Sequence, residues 1–374
     1  MTSPIAIDTV IKGIQFGEFD SMASVPERFN PLFEQASRES IFFSRLWFEL
    51  LERYVFPESV RIFALEFESE PEPEPKYGKP LLILPCYESV NKGRHLHVLS
   101  NYYSSLFTMP LVATESVPLD ALFLTLFKAI DRFNYQSITF EPLDNGKVEY
   151  ACLLSSLKRC GYFVDAYFSF GNWYERVTSD DFSAYYQQRP SKLRNTIRRK
   201  AKKLEAVEIT IVSSFDEVQA LLPQYQAIYA ASWKTAETYP LFVENMVLSL
   251  AKKNQLRLGV ATIDNVPAAA QIWLVSDGVD GAIASIYKLA YDPRFKNTSI
   301  GSILTAALFE FVIEKDRVSE IDCLTGDDAY KKDWMTQRRE RWAVVAYNKK
   351  TLWGFGYGLK AIVAPWVKKY ILKA

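Results

Sequence analysis

The chain has 374 residues, enough for two domains, and its 49% hydrophobic content can fill two sizeable cores. Gly (15) and Pro (18) are too few for a low-complexity or collagenous chain. The 44 basic residues balance the 44 acidic ones, which excludes a general nucleic-acid coat protein but leaves room for a local basic patch.

The four cysteines, Cys86, Cys152, Cys160 and Cys323, form no C-x-x-C pair, and there are 2 histidines. No structural zinc, other metal or disulfide framework is expected, and scattered thiols fit a reducing cytoplasm. The first 20 residues lack a basic stretch followed by an apolar one, so no signal peptide is expected. No strongly apolar, uncharged window of about 18 residues predicts a membrane-crossing helix. The 25 Phe, 21 Tyr and 8 Trp suit an aromatic core or a long apolar ligand groove.

Apolar residues at three- and four-residue steps predict a helix over Asn30–Phe56. Val60–Phe67 alternates as a strand. The Glu-Pro run from Glu66 to Pro75 can be neither helix nor central strand and reads as a solvated hairpin loop. Strands follow at Pro80–Cys86, at His95–Leu99 and, after a helix at Leu119–Phe133, at Ser137–Glu141. Tyr150–Cys160 is a helix closed by Gly161. Tyr162–Val177 reads as paired strands. His95 and His97 share one strand face without a third ligand.

Between Arg189 and Lys203 stand eight basic residues and no acidic one. Leu193, Ile197, Ala201 and Leu204 give this segment an apolar stripe, so it predicts an amphipathic basic helix starting at Ser191. It can be a solvated interdomain helix, a platform for a phosphate-bearing ligand, or a nucleic-acid or membrane surface.

The second half predicts a strand at Val207–Val212 and helices at Asp216–Ser232 and Tyr239–Lys253. Strands at Leu256–Ile263 and Ala268–Val275 are joined by a tight hairpin turn through Asp264, Asn265, Val266 and Pro267. A strand at Ala282–Ala290, a long helix at Ser299–Lys315, a strand at Val318–Leu324, a helix at Asp328–Gln337 and a strand at Arg341–Tyr347 complete it. The order is β-α-α-β-β-β-α-β-α-β. The C-terminal segment from Leu352 is apolar, aromatic and basic. It reads as a docked helix, or as a peripheral membrane anchor or partner contact.

Four local motifs carry chemistry. They are Ser232-Trp233-Lys234, Ile286–Asp292, Ser299–Leu304 and Ile321–Trp334. With the element order they resemble the Gcn5-related N-acetyltransferase (GNAT) fold. More narrowly they look like its CelD-type branch, related to the FemAB peptidyltransferases. The strong part of the likeness covers about residues 185–350. The resemblance implies a mixed α/β fold of two tandem GNAT-like halves, the second holding the acyl donor. The domain boundaries expected are 1–182, a basic linker helix at 183–206, 207–350, and a tail at 351–374.

The resemblance implies acetyl-CoA or a longer acyl-CoA as donor and direct attack by an amine. A small-molecule, glycan- or lipid-linked acceptor such as an amino sugar or polysaccharide precursor is also implied by it. Pyrophosphate can be held by free N–H groups at a helix start, where Lys296, Ser299, Ile300, Gly301 and Ser302 stand. The same residues also suit an ordinary capped helix. The wider family's loop has Arg or Gln, two residues, Gly, one residue, then Gly or Ala; here only Gly301 remains, with Lys296 in place of the leading basic group.

Tyr330 is placed like the tyrosine that protonates the departing thiolate, or else packs between helix and sheet. Asp327 is a catalytic candidate or a helix cap. Asp292 can position the amine and Glu237 can act as a base. Trp233, Lys234, Tyr287, Lys288, Lys331 and Trp334 are candidates for substrate contact. Lys288 either snorkels outward or meets an anion. No G-x-S-x-G elbow and no G-x-x-x-x-G-K-[ST] loop is present. Two other readings stay open. One is a FemAB-like aminoacyl transferase using charged tRNA through the basic helix. The other is a non-catalytic binding module.

Overall fold

The computed structural model describes residues 13–68, 78–109, 117–204 and 206–370, with 364–370 described by backbone alone. Most of the expected Glu-Pro loop lies outside the described residues. The chain divides into two compact units, one of residues 1–170 with 340–374 and one of residues 171–339.

The first unit begins with β1 (Ile14–Phe19), α1 (Asn30–Ser37), α2 (Arg45–Tyr54), β2 (Val60–Phe67), β3 (Pro80–Val90) and β4 (Arg94–Val98). It continues through α3 (Leu119–Asp131), β5 (Ser137–Asp144) and α4 (Val148–Arg159) into β6 (Tyr162–Arg176). The single helix expected over Asn30–Phe56 is broken into two. Ser40 and Ser44 each start a new turn, and the Ser44 hydroxyl accepts the Trp47 N–H at 3.2 Å. Strands β1 to β4 run antiparallel in sequence order, β4 pairs in parallel with β5, and β5 pairs antiparallel with β12 (Gln337–Asn348). Buried Phe63, Phe123, Phe127 and Phe140 fill the space beneath α3. The C-terminal α11 (Leu352–Tyr370) docks in this unit through glycine: a Cβ at Gly358 would stand 2.6 Å from the Phe163 ring.

The second unit holds α5 (Phe182–Gln187), α6 (Ser191–Ala201), β7 (Val207–Val212), α7 (Phe215–Ala231) and α8 (Pro240–Lys252). Then come β8 (Leu256–Ile263), β9 (Val266–Ser276), β10 (Ile283–Tyr291), α9 (Ile300–Glu314), β11 (Glu320–Thr325) and α10 (Lys331–Trp334). Its strand order is β7-β8-β9-β10-β11-β6, antiparallel except for the β10–β11 pair. The β8–β9 turn uses Asp264 and Asn265 at φ 51° and 63°, the conformation that Asx residues tolerate in a two-residue hairpin. Helix α9 buries Leu304, Leu308, Phe309, Val312 and Ile313 against the sheet, each worth about 1.5–3 kcal/mol. It lies so close that a Cβ on Gly259 of β8 would stand 3.0 Å from Leu308. The basic helix α6 belongs to this unit and buries Ile197 in its core.

Two further expectations are corrected. Tyr162–Val177 is one strand and not two. The Gly171-Asn172 pair continues extended because Asn172 Nδ2 donates to Asp322 (2.5 Å) and to the Leu324 carbonyl (3.0 Å). The helix expected over Asp328–Gln337 is confined to Lys331–Trp334. The Glu175 carboxylate accepts both the N–H (2.6 Å) and the hydroxyl (2.7 Å) of Thr336 and draws the chain out into β12. Strand β10 carries a bulge between Ile286 and Lys288 that leaves Tyr287 as the extra residue.

Candidate functional site

The start of α9 is shaped by the turn before it. Asp292 caps the 3-10 turn Pro293–Thr298, and Ser299 then takes a left-handed conformation, φ 62°. The Thr298 hydroxyl accepts the Ile300 N–H at 3.2 Å. The Ser299 carbonyl accepts from Ser302 and Ile303 at 3.0 and 3.1 Å. The Gly301 N–H is left without a partner among the described residues. Gln271 of β9 holds this turn from below: its Nε2 donates to the Gly301 carbonyl (3.1 Å) and to Thr305 Oγ1 (2.7 Å), and its Oε1 accepts from Trp273 (2.9 Å).

An open cleft of about 350 Å³ lies over this turn, within the size range of small-molecule sites. Five expected donor-site residues line it: Lys296, Ser299, Ile300, Gly301 and Ser302. Trp233, Tyr330 and Trp334 line it too. A Cβ built on Gly301 meets nothing nearer than Tyr291 at 3.9 Å. The fold therefore does not need glycine there, although a glycine in a helix costs about 0.5–1 kcal/mol relative to alanine.

Tyr330 reaches the cleft because the segment after it is anchored. Trp334 stacks on Phe309 at 4.8 Å, and its carbonyl accepts from Tyr185 Oη (2.6 Å) and from the buried Arg189 guanidinium (2.8 Å). Arg189 in turn pairs with Glu175 at 3.1 Å. The protein around the Tyr330 hydroxyl pushes its pKa above the ordinary tyrosine value, with Cys323 and Asp328 adding to the shift. Tyr330 is thus a protonated phenol at neutral pH.

Other expected residues stand elsewhere. Asp327 is held by both nitrogens of the Arg338 fork (2.8 Å each) and by Trp173 Nε1 (3.1 Å), and Arg338 keeps its carboxyl below the usual range. Asp292 is spent on the Arg294 backbone and guanidinium, which lower its pKa. Neither is a free base. Asp327 does not cap α10, whose first flanking residue is Tyr330. Lys331 is buried, and its ammonium donates to the carbonyls of Cys323, Thr325 and Gly326, so it fastens the end of β11.

Lys288 pairs with Glu237 at 2.6 Å, each side chain 13% exposed, which answers whether it snorkels. Burial lowers the Lys288 pKa against the pull of Glu237. Lys234 shares the Tyr229 ring with Lys288, at 5.9 and 5.7 Å, and burial followed by Lys288 repulsion lowers its pKa. Trp233, the residue before it, packs on Tyr291 at 4.4 Å and so joins this cluster to the cleft.

The sequence reading missed Gln271, Thr305 and Phe295, which also line the cleft. Gln271 had a usable signal: it is the one polar side chain in the otherwise apolar run Ala268–Val275. Among the described residues, no group of three or more His, Cys, Asp or Glu is placed to hold a metal, and no helix is long and apolar enough to cross a membrane.

Solved proteins share this architecture. FemX superposes with a TM-score of 0.58 at 10% identity, over 92% of this chain and 100% of that one. L-PGS from Bacillus licheniformis gives 0.52 at 11% identity, over 91% and 95%. A tandem GNAT protein from the clavulanic acid biosynthesis pathway gives 0.51 at 10% identity, over 89% and 98%. At these identities the likeness concerns the fold alone. No curated protein matches the chain. The mixed α/β fold of two tandem GNAT-like halves expected from the sequence is the fold found, and residues 191–332 within it match the model of the acetyltransferase (GNAT) domain.

Proposed function

We propose that the protein transfers an acyl group from an acyl-CoA to an amine in the cleft at the start of α9. The observation that carries this is Gly301: a glycine the fold does not require, open to the cleft, with an unpartnered first-turn N–H. A pyrophosphate suits such a position, because the helix start offers N–H groups and a favourable dipole and needs no Cβ in the way. The match of residues 191–332 to the GNAT domain model supports the same reading.

In this reading the acceptor nitrogen attacks the thioester carbonyl, an N–C bond forms, and the C–S bond breaks. The protonated Tyr330 gives its proton to the departing thiolate, and the proton released by the amine passes to solvent and restores the phenol. Tyr291 and Trp233 supply an apolar wall. Glu237, engaged by Lys288, is not assigned as the base. The acceptor class, an amino sugar or another polysaccharide or envelope precursor, rests on the CelD-type resemblance, and a cytoplasmic site of action rests on the scattered free thiols.

The test is thermal unfolding with and without acetyl-CoA and longer acyl-CoA species. A ligand at 100 times its Kd adds about 2.7 kcal/mol, so a saturable shift that disappears in Gly301→Glu is expected. No shift with any donor would overturn the proposal. A second reading, aminoacyl transfer from charged tRNA, is favoured by one observation: the cations of α6 have no ion-pair partner among the described residues. Salt-sensitive tRNA binding would separate it from the first.

A further inference from the structure

Helix α6 stands against the loop that opens the cleft. The Lys200 ammonium donates to the Asn297 carbonyl at 2.5 Å, one residue after the cleft-lining Lys296. Ile197, three residues earlier on the same side of α6, is buried in the core shared with Ile300 and Leu304 of α9. The basic helix is therefore fixed beside the mouth of the donor cleft and is not a loose linker.

Exposed Lys192 and Arg199 stand on α6 at helical spacing around Thr196, and exposed Lys203 follows in the turn that ends the helix. No acidic residue lies between Arg189 and Lys203. None of these three cations, nor Lys200, forms an ion pair among the described residues. A charge excess held beside a ligand cleft is relieved when an anion docks on it.

We infer that this face of α6, with Lys200 and Lys296 at its edge, receives the 3′-phosphate of the acyl-CoA. The inference rests on the acyl-CoA reading and extends it to the nucleotide end. The pyrophosphate can be met by backbone N–H groups. A terminal phosphomonoester carries more charge and is matched by side-chain cations. Lys200 spends one of its three donors on Asn297, and two remain.

The experiment is calorimetric titration of the full chain with acetyl-CoA and with 3′-dephospho-acetyl-CoA, at about 0.1 M salt where surface charges are still felt. The wild type is compared with a Lys192→Gln, Arg199→Gln, Lys203→Gln triple variant. The wild type should prefer the 3′-phosphorylated form by about tenfold or more, and the triple variant should lose most of that preference. The dephospho form should bind both proteins equally, which also reports that the variant is folded. Equal binding of the two ligands by the wild type overturns the inference and leaves the acyl-CoA reading standing. Equal loss of both ligands in the variant overturns it too. If neither ligand binds the wild type, the acyl-CoA reading falls and takes this inference with it. If the two ligands bind equally while uncharged tRNA binds the wild type and not the variant, the face belongs to RNA instead.

Discussion

Gln271 donates through Nε2 to the carbonyl oxygen of Gly301 at 3.1 Å and so ties the middle of β9 to the first turn of α9. The same side chain accepts the indole N–H of Trp273, which is fully buried. Gln271→Met keeps the shape and removes the polar atoms. It leaves a buried indole donor unsatisfied, at a cost of about 1–3 kcal/mol, and frees the turn that faces the cleft. The urea midpoint should fall with an unchanged m-value, and acetyl-CoA affinity should fall with it. An unmoved midpoint would show that the bonds contribute nothing net.

Gly301 allows stability and binding to be separated. Gly301→Ala meets no protein atom within 3.4 Å and should stabilise the chain by about 0.5–1 kcal/mol. Its methyl group occupies the approach path to the helix start, so donor affinity should drop. Calorimetry and thermal unfolding on the same sample check both signs. A variant that is both more stable and equally tight would remove Gly301 from the ligand.

Tyr330→Phe should leave donor affinity and stability almost unchanged, because the side chain is 45% exposed. Its kcat should fall by about 10²–10⁴-fold if the phenol protonates the thiolate. The raised pKa of this phenol keeps it protonated beyond the ordinary tyrosine range near 10, so wild-type kcat should show no alkaline loss below that pH. Steady-state rates across pH decide both points.

Lys331 donates to three carbonyls from a buried position, so Lys331→Met should lower stability by roughly 3 kcal/mol or more, as several buried acceptors lose their donor together. Chemical denaturation is the measurement. A Lys331→Met protein of full stability with a raised KM would instead return this residue to the substrate.

In the first unit, burial followed by repulsion from His95 lowers His97 to about 4, and its Nε2 lies 2.9 Å from Ser89 Oγ. The unfolded chain binds a proton near 6.5 that the folded chain refuses until about 4. Stability from this group is complete above pH 6.5 and is lost as pH falls toward 4. The unfolding free energy measured across that window should slope less steeply in His97→Gln.

Much of the cleft was legible. The run from Lys296 to Ser302 showed a helix start after a strand, and the structure lines a cleft with it. Tyr330 and Trp334 were named together and both line that cleft, although the helix thought to carry them is four residues long. The charged candidates were the least legible. Asp327 found Arg338 and Asp292 found Arg294, close in sequence, yet nothing in the residue order says that these pairs close instead of facing a ligand. Lys288 found Glu237 at a separation of 51 residues.

The sequence by itself determined most of the helices and strands from Val207 to Leu324, because the 3.6- and 2-residue periods and the Asx turn are local properties. It also determined that α6 would be basic on one side and apolar on the other. Only the tertiary structure decided that the Gly171-Asn172 pair stays extended, since the acceptors that hold it there, the Asp322 carboxylate and the Leu324 carbonyl, belong to β11. It also decided that Glu175 ends α10 and that Lys200 brings the basic helix beside the cleft. Each of these turns on a polar group finding a partner distant in the chain, and burial makes such a bond compulsory without the local sequence naming the partner.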